Sequence, residues 1–261
     1  MAVIALASAS GSPGVTTTAL GFAMLWPRPV LLVEADPTGG SGLLAGYFRG
    51  TREYEAGLIE LALTASSIHD GLAEIAQRIE GTTVSFVAGT RSHTQAPALR
   101  DLWQALADEL ADLEGTGQDV IVDAGRLGLL GSPEPLLTNA DLTLLVTRTT
   151  LPALSAVRSW ADAIQRGTVH SQGSGAWQQA GVAVVGDGQP YKASEVSRVL
   201  GLPVVATLPD EPDAAAVFSR GAQPPKRFET GPLVRGLQAG IASIHSTVSR
   251  RRSELLEGVR P

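Results

Sequence analysis

The chain has no cysteine, which excludes disulfides and thiolate metal sites and fits a reducing, cytoplasmic setting. Aromatic residues are only 5% of its 261 positions, so the core must be built mainly from aliphatic side chains. Lysine is scarcer still: Lys192 and Lys226 are the only two among 20 basic residues. No run of about 18 apolar residues occurs, and no basic segment precedes an apolar one at the N-terminus. Neither a membrane span nor secretion is therefore expected. The histidines (His69, His93, His170, His245) are scattered without ligand spacing and read as solvated surface residues. A net charge of −6 argues against nucleic-acid binding through a broad surface. What remains is 44% hydrophobic, with no break in composition, and reads as one sizeable domain over 1–261.

Apolar strand-like runs sit near 2–7, 29–34, 83–88, 119–124, 141–147, 181–186 and 203–208. Helical patterns lie between most of them, such as Leu99, Leu102, Trp103, Leu106, Leu110 and Leu113 at three- and four-residue spacing. Strands apolar on both faces that alternate with helices predict a mostly parallel sheet covered on both sides, a three-layer α/β fold. The stretch from His170 to Gly181 reads as a surface loop. Residues 233–257 predict one C-terminal helix with a single apolar stripe, Val234, Leu237, Ile241, Ile244 and Val248, and a basic tail, Arg250 to Arg252, running on to 261.

The first strand runs into Ser10-Gly-Ser-Pro-Gly-Val-Thr-Thr-Thr18 and then into a helix-like stretch. Strand, glycine-bearing turn, hydroxyl pair and helix make the layout of a phosphate-binding P-loop, in which backbone N–H groups at a helix N-terminus face an anion. The pattern G-x-x-x-x-G-K-[ST] places its first glycine at Gly11, its second at position 16, its lysine at 17 and its magnesium-binding hydroxyl at Thr18. Here Thr16 takes the place of the second glycine and Thr17 that of the lysine. Arginine bias does not explain the loss, because the lysine is tied to that position whatever the background usage.

Four further segments in the expected order extend the pattern: Val30 to Pro37, Asp119 to Asp123, Leu142 to Ser155 and Gly201 to Asp210. Together they resemble the ParA/MinD family of deviant Walker ATPases. The resemblance implies a P-loop NTPase-like fold, ATP and Mg²⁺ as cofactors, and a homodimer that positions a cellular structure. It implies nucleotide contacts from Gly11, Ser12, Gly14, Val15, Thr16, Thr17 and Thr18. Thr18 and Asp123 would serve the metal, Asp36 would orient or activate the attacking water, and Pro209 would lie near the base. Ser12 stands where the family has its signature lysine, which in the family reaches the nucleotide of the dimer partner. Glu34 replaces the first acid of a D-x-D turn, and Val184-Val-Gly-Asp-Gly188 replaces a strand end that often carries an adenine-reading asparagine.

Phosphoryl transfer relies on positioning and charge, so loss of both lysines predicts slow or absent hydrolysis. Arg126, three residues after Asp123, is a candidate substitute cation, with Arg148 a weaker one. The leading expectation is a positioning or scaffolding factor with weakened Mg-nucleotide binding, closest by resemblance to the CpaE/TadZ branch, with a protein partner in a secretion or pilus system. An active ATPase with a nucleotide-dependent monomer–dimer cycle for chromosome partitioning or cell division, and a nucleotide-free interaction module, are the alternatives. The family's amphipathic membrane-binding tails make a membrane-surface contact of the C-terminal helix a further expectation, though two leucines and one valine past the arginines are a small anchor. Direct DNA contact is not expected.

Overall fold

The computed structural model describes residues 2–64, 66–113, 117–165 and 179–258. One eight-stranded sheet carries the chain, comprising β1 (Val3–Ser8), β2 (Val30–Glu34), β3 (Gln77–Arg78), β4 (Val84–Val87), β5 (Asp119–Arg126), β6 (Leu142–Arg148), β7 (Ala180–Val185) and β8 (Val204–Leu208). Their order across the sheet is β3-β4-β2-β5-β1-β6-β7-β8. Every pair is parallel except β3 with β4, where Gln77 faces Phe86. The central strands are apolar on both faces because both are covered. Val3, Ala5 and Ala7 point into one buried cluster, and Ile4 and Leu6 into the other.

The first cluster is closed by α2 (Leu58–Leu63), α3 (Ile68–Ile75), α4 (Leu102–Asp112), α5 (Glu134–Thr138), α6 (Leu151–Gln165) and α7 (Ala193–Leu200). The opposite face is covered by α1 (Val15–Leu25), α8 (Pro212–Arg220) and α9 (Pro232–Gly258). The predicted strands all form. The edge strand β3 was not foreseen, because two residues leave no periodic pattern to read. Residues 170–178 of the expected loop lie outside the described residues, and β7 already begins at Ala180.

The C-terminal helix is part of the core. Val234, Leu237, Ile241, Ile244 and Val248 are all buried. Two glycines let α9 settle closely on its neighbours. A Cβ at Gly236 would come within 3.0 Å of Pro209 Cδ and 3.2 Å of the Thr207 carbonyl, and one at Gly240 within 3.0 Å of Phe22. Beyond the stripe, Arg252 Nη2 binds Asp141 Oδ1 at 2.9 Å, and Asp141 also accepts from Val3 N at 2.8 Å. The apolar face is thus spent on the sheet. The side chains of Leu255 and Leu256 lie outside the described residues, and among those described no helix is long and apolar enough to cross a membrane.

At the amino end of the sheet Asp119 is buried, accepting from Ala2 N at 2.6 Å and Trp26 Nε1 at 2.8 Å. His245 is not the solvated residue its isolation in sequence suggested. Its ring packs 4.7 Å from that of Trp26, and its Nε2 is buried. His69 and His93 are exposed as expected, and His170 lies outside the described residues.

Candidate functional site

The site lies at the carboxyl edge of the sheet around the middle strands β2, β5 and β1, the edge where open α/β sheets bind ligands. β1 ends at Ser8, and residues 9–14 loop over to the N-terminus of α1. Gly11 and Gly14 take left-handed φ values of 55° and 99°, which is what the reversal requires and what side chains resist. Gly14 is the N-cap of α1, with no side chain capping that end, and Thr18 N donates to Gly14 O at 2.8 Å. The N–H groups of Val15, Thr16 and Thr17 therefore precede the first intrahelical bond and are open to an anion. A Cβ placed on Gly11 would meet nothing within 4 Å, so the mouth above the loop is open. The backbone fits a phosphate cradle.

The side chains differ from a lysine-bearing loop. Ser12 is exposed, Pro13 is buried and offers no N–H, Thr16 and Thr17 are half-buried, and Thr18 is buried. Thr16 fills the space that a glycine would leave. A Cβ on Gly42 would sit 3.1 Å from Thr16 Cγ2, and on its other side the Thr16 hydroxyl lies beside the Asp123 carboxyl.

Three carboxyls meet beneath this loop. Glu34 and Asp123 are register partners on β2 and β5, and the Ala35 N–H donates to the Asp123 carbonyl at 2.8 Å. Asp36 is turned inward by an Asx turn, its Oδ1 accepting from Thr38 N at 2.8 Å. It packs on the backbone of Gly125, where φ is 61° and a Cβ would fall 2.0 Å from Asp36 Cγ. Burial pushes the Asp123 carboxyl up to about 6; the Thr16 hydroxyl opposes the rise and the Asp36 charge adds to it. Burial likewise pushes Glu34 up to about 7, against hydrogen bonds from the Ser41 hydroxyl and from Leu43 N at 2.9 Å, with the Asp123 charge adding to the rise. Both shifts come first from burial of the carboxyls and then from the charge of a neighbouring acid.

Although the three carboxyls lie near one another, no group of three among the described residues is arranged to hold a metal ion by itself. A divalent ion at Thr18 would take its other ligands from phosphate and water, as Mg²⁺ commonly does. The two candidate cations separate clearly. Arg126 pairs in register with Ser8, is exposed, and makes no ion pair among the described residues. Arg148 is held by Asp210, with Nη2 to Oδ1 at 3.2 Å and Nη1 on the other oxygen, so it is not available to a phosphate. Pro209 lines a separate pocket of about 340 Å³ at the ends of β7 and β8. Gly125 and Ser41 were missed in the sequence. The only signal for Gly125 was a glycine two residues beyond Asp123; for Ser41 there was none.

The strand order, the parallel sheet and the loop at the end of β1 define a P-loop NTPase fold of the MinD/ParA type. Solved structures with this fold include the cell division ATPase MinD of Pyrococcus furiosus, with a TM-score of 0.71 at 16% identity, covering 94% of this chain and 98% of that one. The Pyrococcus horikoshii septum site-determining protein MinD, complexed with Mg-ADP, superposes with a TM-score of 0.69 at 17% identity over 93% of this chain and 95% of that one. The ParA family ATPase of Chlorobium tepidum gives 0.69 at 15% identity over 92% and 97%. No protein-family model matches the chain, and no curated protein matches it. At these identities the likeness carries the fold.

Proposed function

We propose that this chain is a ParA/MinD-like positioning or scaffolding protein that binds a Mg-nucleotide weakly and turns it over slowly or not at all. The observation that carries this reading is a glycine-bearing turn that leads into the uncapped N-terminus of α1, with uncharged Ser12 and Thr17 in the two lysine places, close to three acids. Helix N-terminus and loop amides supply the attraction for the phosphates. No cation in the loop stabilises charge on a transferring phosphoryl group, and such contacts are commonly worth several orders of magnitude in rate. Thr18 would reach the metal, Asp123 would support its water shell, and Asp36 would orient or activate the attacking water.

The neighbour solved with Mg-ADP supports a nucleotide as the ligand, and the cell division and ParA family proteins that share the fold support a positioning role. A homodimer and a protein partner belong to the same reading. Calorimetric titration with Mg-ATP and Mg-ADP, together with a phosphate-release assay, tests it. Weak binding with turnover close to buffer is the expected result; strong binding with steady turnover contradicts it. The active-ATPase reading is favoured by one observation alone, the exposed Arg126 at the end of β5 beside Ser8, which makes no ion pair among the described residues, and Arg126→Ala decides between the two.

A further inference from the structure

After β2 the residues Leu43–Tyr47 form a single π-helical turn, and its end meets the end of α8. The approach is close enough that a Cβ at Gly46 would collide with the Ser219 carbonyl, and one at Gly221 with the Tyr47 carbonyl. Beside this contact lies a cleft of about 550 Å³. Phe48, Ile79 and Val217 contribute apolar lining, and Arg49 and Arg52 contribute two guanidinium groups. Glu80, which is exposed, is the one acid that lines it.

Arg49 takes a left-handed φ of 54°, one of two non-glycine residues to do so among those described. Gly50 beside it adopts a similar φ of 68° without strain, so the turn itself gives no reason for an arginine. Arg52 is held in place: its guanidinium lies 4.8 Å over the Phe48 ring, and Nη1 donates to Arg78 O at 3.0 Å. A guanidinium has five N–H donors, so that one bond leaves others for a ligand. Neither arginine makes an ion pair among the described residues. Neither is needed to cap the turn. Leu43 O accepts from Phe48 N at 2.9 Å, Leu44 O from Gly50 N at 2.8 Å and Gly46 O from Arg49 N at 3.0 Å.

We infer that this cleft docks an acidic segment of a partner protein, one whose carboxylates are flanked by apolar side chains. Two guanidiniums against one exposed acid favour an anion, and each can grip a carboxylate through two parallel N–H donors. Phe48, Ile79 and Val217 give the neighbouring apolar side chains a surface to cover. Arginine set among aromatic and apolar groups is the composition enriched where protein interfaces hold most strongly. Nucleic acid is instead held along an open basic stripe, whereas here two arginines sit among apolar groups in a chain of net charge −6. The inference stands apart from the nucleotide reading: a partner held here would give a scaffold its cargo whether or not the loop takes a phosphate.

The test is fluorescence anisotropy of the full chain with a labelled peptide carrying two glutamates among leucines, its glutamine counterpart, and a labelled DNA duplex. One variant is Arg49→Gly, in which glycine suits the left-handed turn. The other is Arg158→Ala, which removes the same charge from an exposed position on α6. Urea unfolding checks that both variants fold. Wild type should bind the glutamate peptide saturably, and about tenfold or more tightly than the glutamine peptide. Arg49→Gly should weaken the glutamate peptide about tenfold through loss of one charge-assisted contact, and Arg158→Ala should leave it within about twofold. No saturable binding by wild type, equal affinity for the two peptides, or the same loss in both variants overturns the inference. Tighter binding of the duplex that Arg49→Gly weakens also overturns it, because the cleft would then be a phosphate site. All of these outcomes leave the nucleotide reading standing.

Discussion

Replacing Glu34 by glutamine tests how the site balances its acids without a lysine. Glu34 is held at about 7 from an ordinary value of 4.5, with burial the main cause. An acid whose folded value lies above its unfolded value keeps its proton in the fold while the unfolded chain releases it. Stability is then fully retained below about 4.5 and is lost as pH rises toward 7. At 1.36 kcal/mol per tenfold change, the full loss is about 3 kcal/mol, of which about 2–3 kcal/mol falls between pH 5 and pH 8. Glu34→Gln cannot ionise. Its carbonyl can still accept from Leu43 N, and its amide can donate to Ser41 Oγ, so the local bonds can be remade. Urea unfolding followed by tryptophan fluorescence at pH 5 and pH 8 is the assay. The stability of the variant relative to wild type should rise by about 2–3 kcal/mol between the two pH values. Asp123, raised mainly by burial, adds to the same trend in both proteins, so the difference between them reads Glu34. Parallel pH profiles for the two proteins would refute a buried, proton-retaining Glu34.

Arg126→Ala should leave Mg-nucleotide affinity within about twofold if the loop amides alone hold the phosphates, and a tenfold or greater loss, read by calorimetry, would make Arg126 the substitute cation. Gly125→Ala should destabilise by about 2 kcal/mol or more in urea, because the left-handed backbone and the Asp36 carboxyl 2.0 Å from the new Cβ both oppose it; a neutral result would show that Asp36 does not rest on that glycine. Ile244→Ala, at a fully buried position of α9, should cost about 2–5 kcal/mol, and a cost below about 1 kcal/mol would mean that the C-terminal helix is not docked on the sheet.

Much of the layout was legible because it depends on local pattern. Continuous apolar runs such as Val30 to Val33 and Val120 to Val122 can be buried only on both faces, and the spacing of Val234, Leu237, Ile241, Ile244 and Val248 allows one helix face. The loop was legible because a P-loop is defined by residues adjacent in sequence. What escaped depends on contacts between distant segments. Nothing near Glu34 says that it is buried beside Asp123, and nothing near Arg148 announces Asp210, which is 62 residues away. The Thr16 side chain beside Asp123 and the aspartate packed on Gly125 likewise exist only after β2 and β5 pair.

The account's central claim is that this loop is a nucleotide cradle weakened by the loss of its cation. Calorimetric titration of wild type and of the Thr16→Gly, Thr17→Lys double variant with Mg-ADP and Mg-GDP tests it most directly. A charge-assisted contact is worth about 1.5–3 kcal/mol, so the variant should bind at least one of the two about tenfold or more tightly than wild type. No binding by either protein, or equal affinity in both, would contradict the claim.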